Sequence, residues 1–216
     1  MQTAEQLKND VEEELYWDPS IHSEQIGVSV RDGVVELDGH VGSFYEKWAA
    51  ERDALRVADV KSVASEIKVD LSGMPSRTDE DIARAATSQL EWNYLIPDTV
   101  KVQVTDGFVT LKGTVEWQFQ SDEAERAVRP LLGVTGVRNE IELKPTGSDD
   151  KVRTKIEDAL KRDAAIDADN VTVEASVNTV TLRGKVQSLG ERDEAERVAF
   201  LTRGVTKVNN LLQIGY

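Results

Sequence analysis

Asp32-Gly33-Val34-Val35-Glu36-Leu37-Asp38-Gly39 recurs as Asp106-Gly107-Phe108-Val109-Thr110-Leu111-Lys112-Gly113 and, more worn, as Val177-Asn178-Thr179-Val180-Thr181-Leu182-Arg183-Gly184. The last glycines of these stretches are 74 and 71 residues apart. That period is too long for a solenoid repeat and right for a small domain. Forward of each glycine the match runs without a gap through Ala50, Ala124 and Ala195, Arg52, Arg126 and Arg197, and Val63, Val137 and Val208. Backward it reaches Leu15, Leu90 and Leu160. Three units follow: 3–71, 78–145 and 148–216.

Within a unit the pattern is legible step by step. Leu7, Val11 and Leu15 fall at i, i+4 and i+8, as do Ile82, Ala86, Leu90 and Val152, Ile156, Leu160, so each unit opens with an amphipathic helix. Thr3 with Gln6 has capping-box spacing, and Thr78 and Ser148 stand where helix N-caps are wanted. Strict alternation follows, as in Ile26, Val28, Val30 and Val100, Val102, Val104. The Asp-Gly pairs signal two-residue hairpins, whose type I′ turn needs positive φ at both positions. Ser43 with Glu46 and Ser188 with Glu191 cap a second helix. Gly133 and Gly204 stop that helix, with Asp59 in their place in the first unit. A last alternating strand closes each unit. The order α-β-β-α-β predicts an α+β class, three tandem units, each a three-stranded mixed sheet with two helices on one face. The second helix makes a crossover, so the last two strands are expected to be parallel.

Composition narrows function more than it defines it. The 216 residues carry a net charge of −14 and no cysteine, which excludes disulfides and thiol chemistry. The charge is graded: net −9 over 1–74, −4 over 75–146 and −1 over 147–216. Such a field opposes nucleic acid and adsorption to anionic lipid. No apolar run approaches a transmembrane segment. The N-terminal residues lack a basic stretch followed by an apolar one, so the expected compartment is cytoplasmic, or periplasmic if a signal peptide has been removed.

Catalytic chemistry finds little foothold. His22 and His40 are not repeated and have no helically spaced partner, so they read as surface loop residues and no metal site is expected. The glycines read as turn and cap residues, with no phosphate loop and no cofactor site among them. Glu123, Glu125 and Arg126 read as a salt-bridged outer face. The aromatics are the candidate binding patch. Trp117 and Phe119 sit where the other units cap the second helix, Trp117 in the place of Ser43 and Ser188, so the second unit forgoes a cap; Phe44 and Tyr45 occupy the same region of the first unit. Trp17 and Trp92 align at the end of the first helix. These residues either meet a partner or lipid interface or join the first two units and finish their small cores; for Trp117 the expected role is the joining one.

The signature Asp-Gly-x-Val-x-Leu-x-Gly-x-Val, read at Asp106–Val115, resembles that of the BON domain (bacterial OsmY and nodulation). So do Glu123-Ala124-Glu125-Arg126, with its counterpart Glu194-Ala195-Glu196-Arg197, and Gly133-Val134-Thr135-Gly136-Val137, with its counterpart at Gly204–Val208. The resemblance covers nearly the whole chain, three times. It implies a non-enzymatic, osmotic-stress-associated binding or scaffold protein that interacts weakly with phospholipid or an envelope component. A protein–protein adaptor or chaperone-like role, and cytoplasmic potassium sensing, are also attributed to such proteins.

Overall fold

The computed structural model describes residues 2–72, 75–144, 152–162, 170–176, 178–202 and 205–215, the side chains of Val152 and Arg153 excepted. Expectations placed on Ser148, Val152, Val177 and Gly204 lie outside these. The first repeat runs α1 (Ala4–Trp17), a 3-10 turn (Ser23–Gln25), β1 (Ile26–Arg31), β2 (Val34–Val41), α2 (Phe44–Arg56) and β3 (Ser62–Val69). The second runs α3 (Asp79–Trp92), β4 (Lys101–Thr105), β5 (Phe108–Val115), α4 (Gln118–Val128) and β6 (Gly136–Leu143). The third runs α5 (Val152–Arg162), β7 (Val171–Ser176), β8 (Thr179–Val186), α6 (Leu189–Phe200) and β9 (Lys207–Ile214).

Each repeat forms its own three-stranded sheet with the hairpin's second strand in the centre. The hairpins are antiparallel, and β5–β6 and β8–β9 are parallel, as the crossover helix requires. Asp32 and Gly33 have φ of 55° and 82°, Asp106 and Gly107 of 52° and 75°, the type I′ geometry the Asp-Gly pairs predict. In the second and third repeats both helices bury their stripes against one face of the sheet. In the second repeat Ile82, Ala86 and Leu90 of α3 meet Ala124 and Val128 of α4 over Val109, Leu111 and Val115. In the third, Ile156 and Leu160 meet Ala195, Val198 and Ala199 over Val180, Leu182 and Val186. The opposite face is wet: Ser29, Arg31, Gln103, Thr105, Glu174 and Ser176 are all exposed. Contacts gather the chain into two bodies, residues 1–39 with 49–67 and 145–216, and residues 40–48 with 68–144.

Gly39, Gly113 and Gly184 are neither turn nor cap residues, which corrects the reading of them from sequence. They lie inside β2, β5 and β8 with φ of 127°, 140° and 132°. At each, a Cβ would strike the backbone carbonyl of the residue that leads into the first strand or one before it: Gln25, Thr99 and Asn170. The repeat's signature glycine is thus the place where the incoming chain crosses closest over the central strand.

A polar tie links the last strand to the second helix on the inner face. Asn139 Nδ2 donates to Ser121 Oγ at 2.8 Å and to Glu125 Oε2 at 3.1 Å, and Asn210 Nδ2 donates to Glu196 Oε2 at 3.0 Å. In the first repeat Ser65 holds this position, too short to reach across, and its Oγ is buried with no partner. Asn139→Ala is therefore expected to cost about 1–3 kcal/mol of stability, whereas Ser65→Ala leaves stability equal or slightly higher. Chemical denaturation of the two variants beside the parent chain checks this, and equal losses would show that the tie contributes nothing.

Candidate functional site

The first group of aromatics takes its place from helix phase. Successive residues turn by about 100°, so Trp17 and Trp92, two residues beyond the buried Leu15 and Leu90, lie on the far side of their helices. Trp17 is 71% exposed and Trp92 87%, with Tyr16 at 72% and Tyr94 at 91%. Tyr16 and Trp17 meet edge to face, with ring centroids 5.9 Å apart. The chain after each helix is pinned by a short polar turn. Asp18 Oδ1 accepts from the Ser20 amide at 2.8 Å and the Ser20 hydroxyl at 2.6 Å, and Asn93 Oδ1 accepts from the Leu95 amide at 3.1 Å. The Ser20 hydroxyl, ahead of Asp53 and Arg52, holds the Asp18 carboxyl down at about 2. Beyond α3 an open cavity of about 510 Å³ has an apolar floor of Leu90, Ile96, Val100 and Val102, with Glu91, Asp98 and Lys101 at its sides.

The second group is half-buried. Phe44 packs against the apolar core of the second repeat, and the Arg129 guanidinium lies 4.1 Å above the Trp48 ring, a cation–π contact. Tyr45 and Trp48 pack with centroids 5.8 Å apart. Trp117 is half-buried and Phe119 38% exposed. Trp117 makes no side-chain cap, yet half of the capping box survives. Gln120 Oε1 accepts from the amides of Glu116 and Trp117 at 3.0 and 3.1 Å, as Glu46 Oε2 accepts from Gly42 at 3.0 Å and Glu191 Oε2 from Gln187 at 2.6 Å. Sequence reasoning missed this reach-back at Gln120, although its spacing from Trp117 was visible.

A charged triad built on the buried Asp53, by contrast, went unread. Arg52 Nη2 donates to Asp18 Oδ2 at 2.8 Å and Arg52 Nε to Asp53 Oδ1 at 2.7 Å. Asp53 is 2% exposed, and burial pushes its carboxyl above the usual range, against the pull of Arg52. The signal was there: Asp53 stands where the other repeats have Ala127 and Val198. Arg126 and Arg197 instead form exposed pairs with Glu123 and Glu194. Glu125, assigned from sequence to that outer face, turns to Arg129 at 2.7 Å and to Asn139. His40 lies exposed in β2 rather than in a loop. Among the described residues no group of three or more His, Asp or Glu is placed to hold a metal, and no helix is long and apolar enough to cross a membrane.

The family profile described as BON domain matches residues 3–70, 78–145 and 148–216. The chain belongs to the BON domain family. It is similar to osmotically-inducible protein Y of Escherichia coli (strain K12), at 35% identity over 130 residues, which is 58% of this chain and 65% of that relative. Among solved structures, the C-terminal domain of CdsD, a structural protein of the type III secretion system of Chlamydia trachomatis, aligns over the full length of both chains at 16% identity and a TM-score of 0.26. The periplasmic domain of PrgH aligns over 89% of this chain and 96% of its own at 12% identity and 0.23. Scores that low bear on neither arrangement nor function. The relative's name ties it to osmotic induction.

Proposed function

We propose that this protein is a non-enzymatic, osmotic-stress-associated binding module that attaches weakly to phospholipid surfaces through the aromatic ends of α1 and α3, with the spans 3–71, 78–145 and 148–216 as its domains. The observation that carries this reading is the exposure of Trp17 and Trp92, 71% and 87%, at equivalent positions of two repeats. An indole is apolar with one polar edge and suits the boundary between water and acyl chain. The osmotic link comes from the similarity to osmotically-inducible protein Y. With a net charge of −14, attachment has to come from aromatic burial or headgroup contacts rather than from attraction to anionic lipid. The half-buried Trp117, Phe119, Phe44 and Tyr45 are secondary in this reading. A protein adaptor role is the second reading, supported by the open cavity beyond α3, whose lining is mixed polar and apolar. The cytoplasmic expectation gains no support from the comparisons.

Flotation with phosphatidylethanolamine–phosphatidylglycerol vesicles tests the lipid reading. The double variant Trp17→Ala, Trp92→Ala is expected to lower the bound fraction about ten-fold or more, while raised salt leaves binding intact because little of it is screened. Trp117→Ala with Phe119→Ala is expected to have the smaller effect. Binding equal to the parent in the Trp17/Trp92 variant removes these residues from the reading, and no flotation with any vesicle composition removes lipid altogether.

A further inference from the structure

The first two repeats differ at one point where their folds do not. In the second, Asp79 opens α3, directly after the cap Thr78, and its carboxylate closes on the hairpin turn. Oδ2 accepts from the Asp106 amide at 2.9 Å and Oδ1 from the Gly107 amide at 2.8 Å. Gly107 is buried beneath it. The first repeat has the same cap, Thr3, and the same turn, Asp32-Gly33, with both residues again at positive φ. The residue after its cap is Ala4. Among the described residues no acceptor takes the Asp32 or Gly33 amide. Gly33 is part-exposed. Where the second repeat holds a carboxylate, the first has a cavity of about 270 Å³ lined by Gln2, Thr3, Ala4, Leu7, Asp32, Gly33, Asp59 and Lys61.

We propose that this notch is a binding site for an external carboxylate, which takes the two turn amides of the first repeat as Asp79 takes those of the second. Two amide N–H groups presented together by a type I′ turn match the two oxygens of one carboxylate. The N-terminal end of α1 adds the positive pole of its helix dipole. Lys61 supplies the local cation: its ammonium lies 3.1 Å from the Asp32 carbonyl oxygen. Two acidic side chains oppose binding. Asp59 is engaged, accepting from the Gln2 amide at 3.3 Å, and Asp32 belongs to the turn itself. Their charge sets the affinity in the range of about millimolar, so the ligand is an abundant small carboxylate or the free C-terminus of a peptide. The site is independent of the aromatic ends of the helices and of any membrane.

The test is a titration of the full chain followed through its backbone amide resonances. Acetate at constant ionic strength is expected to shift the Asp32 and Gly33 amides downfield with saturation, while chloride leaves them in place. A tripeptide with a free C-terminus that shifts the same amides at lower concentration than acetate assigns the site to chain ends, its amidated form being inert; equal or weaker binding assigns it to small carboxylates. Ala4→Asp supplies the missing group in cis. It is expected to move the two amides towards the positions of Asp106 and Gly107 and to weaken acetate binding about ten-fold or more. Lys61→Met is expected to weaken acetate several-fold without altering the fold. Unsaturable or absent shifts in the parent chain overturn the proposal, as does an Ala4→Asp variant, folded by its amide spectrum, that still binds acetate as the parent does.

Discussion

Gly113→Ala is expected to lower the stability of the chain by more than about 3 kcal/mol. Two costs combine. At φ 140° an alanine Cβ is strained whatever the space around it, and here the space is filled by the Thr99 carbonyl and the Val100 Cα. Neither can yield, because Val100 enters the buried core of the second repeat and leads directly into β4. Gly39→Ala and Gly184→Ala are expected to behave alike, against Gln25 and Asn170. Gly27→Ala is the control. It also lies in a strand, but its φ is ordinary and its new methyl meets only the Asp38 side chain, which can swing aside; a loss under about 1 kcal/mol is expected. Urea denaturation read by circular dichroism compares the four. A mild loss at Gly113, close to that at Gly27, would mean that the crossing chain can lift away and that the close approach is not a constraint.

Arg52→Met is expected to cost about 3 kcal/mol at neutral pH and clearly less near pH 4.5. The sign follows from Asp53. Its carboxyl is held above the usual range by burial even with Arg52 beside it, so its charge opposes folding, and that opposition grows as pH rises through its folded value. Removing the cation leaves a carboxylate 2% exposed with only Arg56, 4.0 Å away, on its side, and raises that value further. Mild acid then protonates Asp53 and relieves much of the damage. Asp18 acts in the opposite sense. Its lowered value of about 2 contributes stability that is present above the usual aspartate range and fades as pH falls through it, so the comparison belongs above pH ~4. Thermal melts of parent and variant at the two pH values provide the check. A loss that does not change with pH would assign Arg52 a packing role through its stem.

How far the sequence could be read depended on whether a feature was periodic. The three hairpins, the helix stripes and the parallel closing strands of the second and third repeats followed from spacing, because burial of one face imposes a period. The exposure of Trp17 and Trp92 was implicit in the same spacing, since each sits two residues past a buried leucine. What was missed came from single substitutions within the repeat. Asp53 in place of Ala127 and Val198 gives a repeated arginine a buried carboxylate to pair with. Ala4 in place of Asp79 opens a notch, and Ser65 in place of Asn139 breaks a tie. Each is visible in an alignment of the chain with itself, but its meaning depends on a neighbour from another element. The strand glycines were misassigned because composition places glycine in turns first, and nothing local announces that another part of the backbone passes overhead.

Among the described residues the three sheets share no ladder, which leaves β1, β3, β4, β6, β7 and β9 as edges, and an open edge is a template for a strand from another molecule. Dehydrating, concentrated solution would favour that pairing. The closing strands of the first two repeats carry charge on their exposed side, Glu66 and Lys68 in β3 and Arg138, Glu140 and Glu142 in β6. On β9 the exposed side offers Lys207 and Gln213 around Leu211, itself 49% exposed. The third repeat, the one nearest to neutrality, is therefore where strand pairing between molecules is expected to begin, rather than in the strongly acidic first.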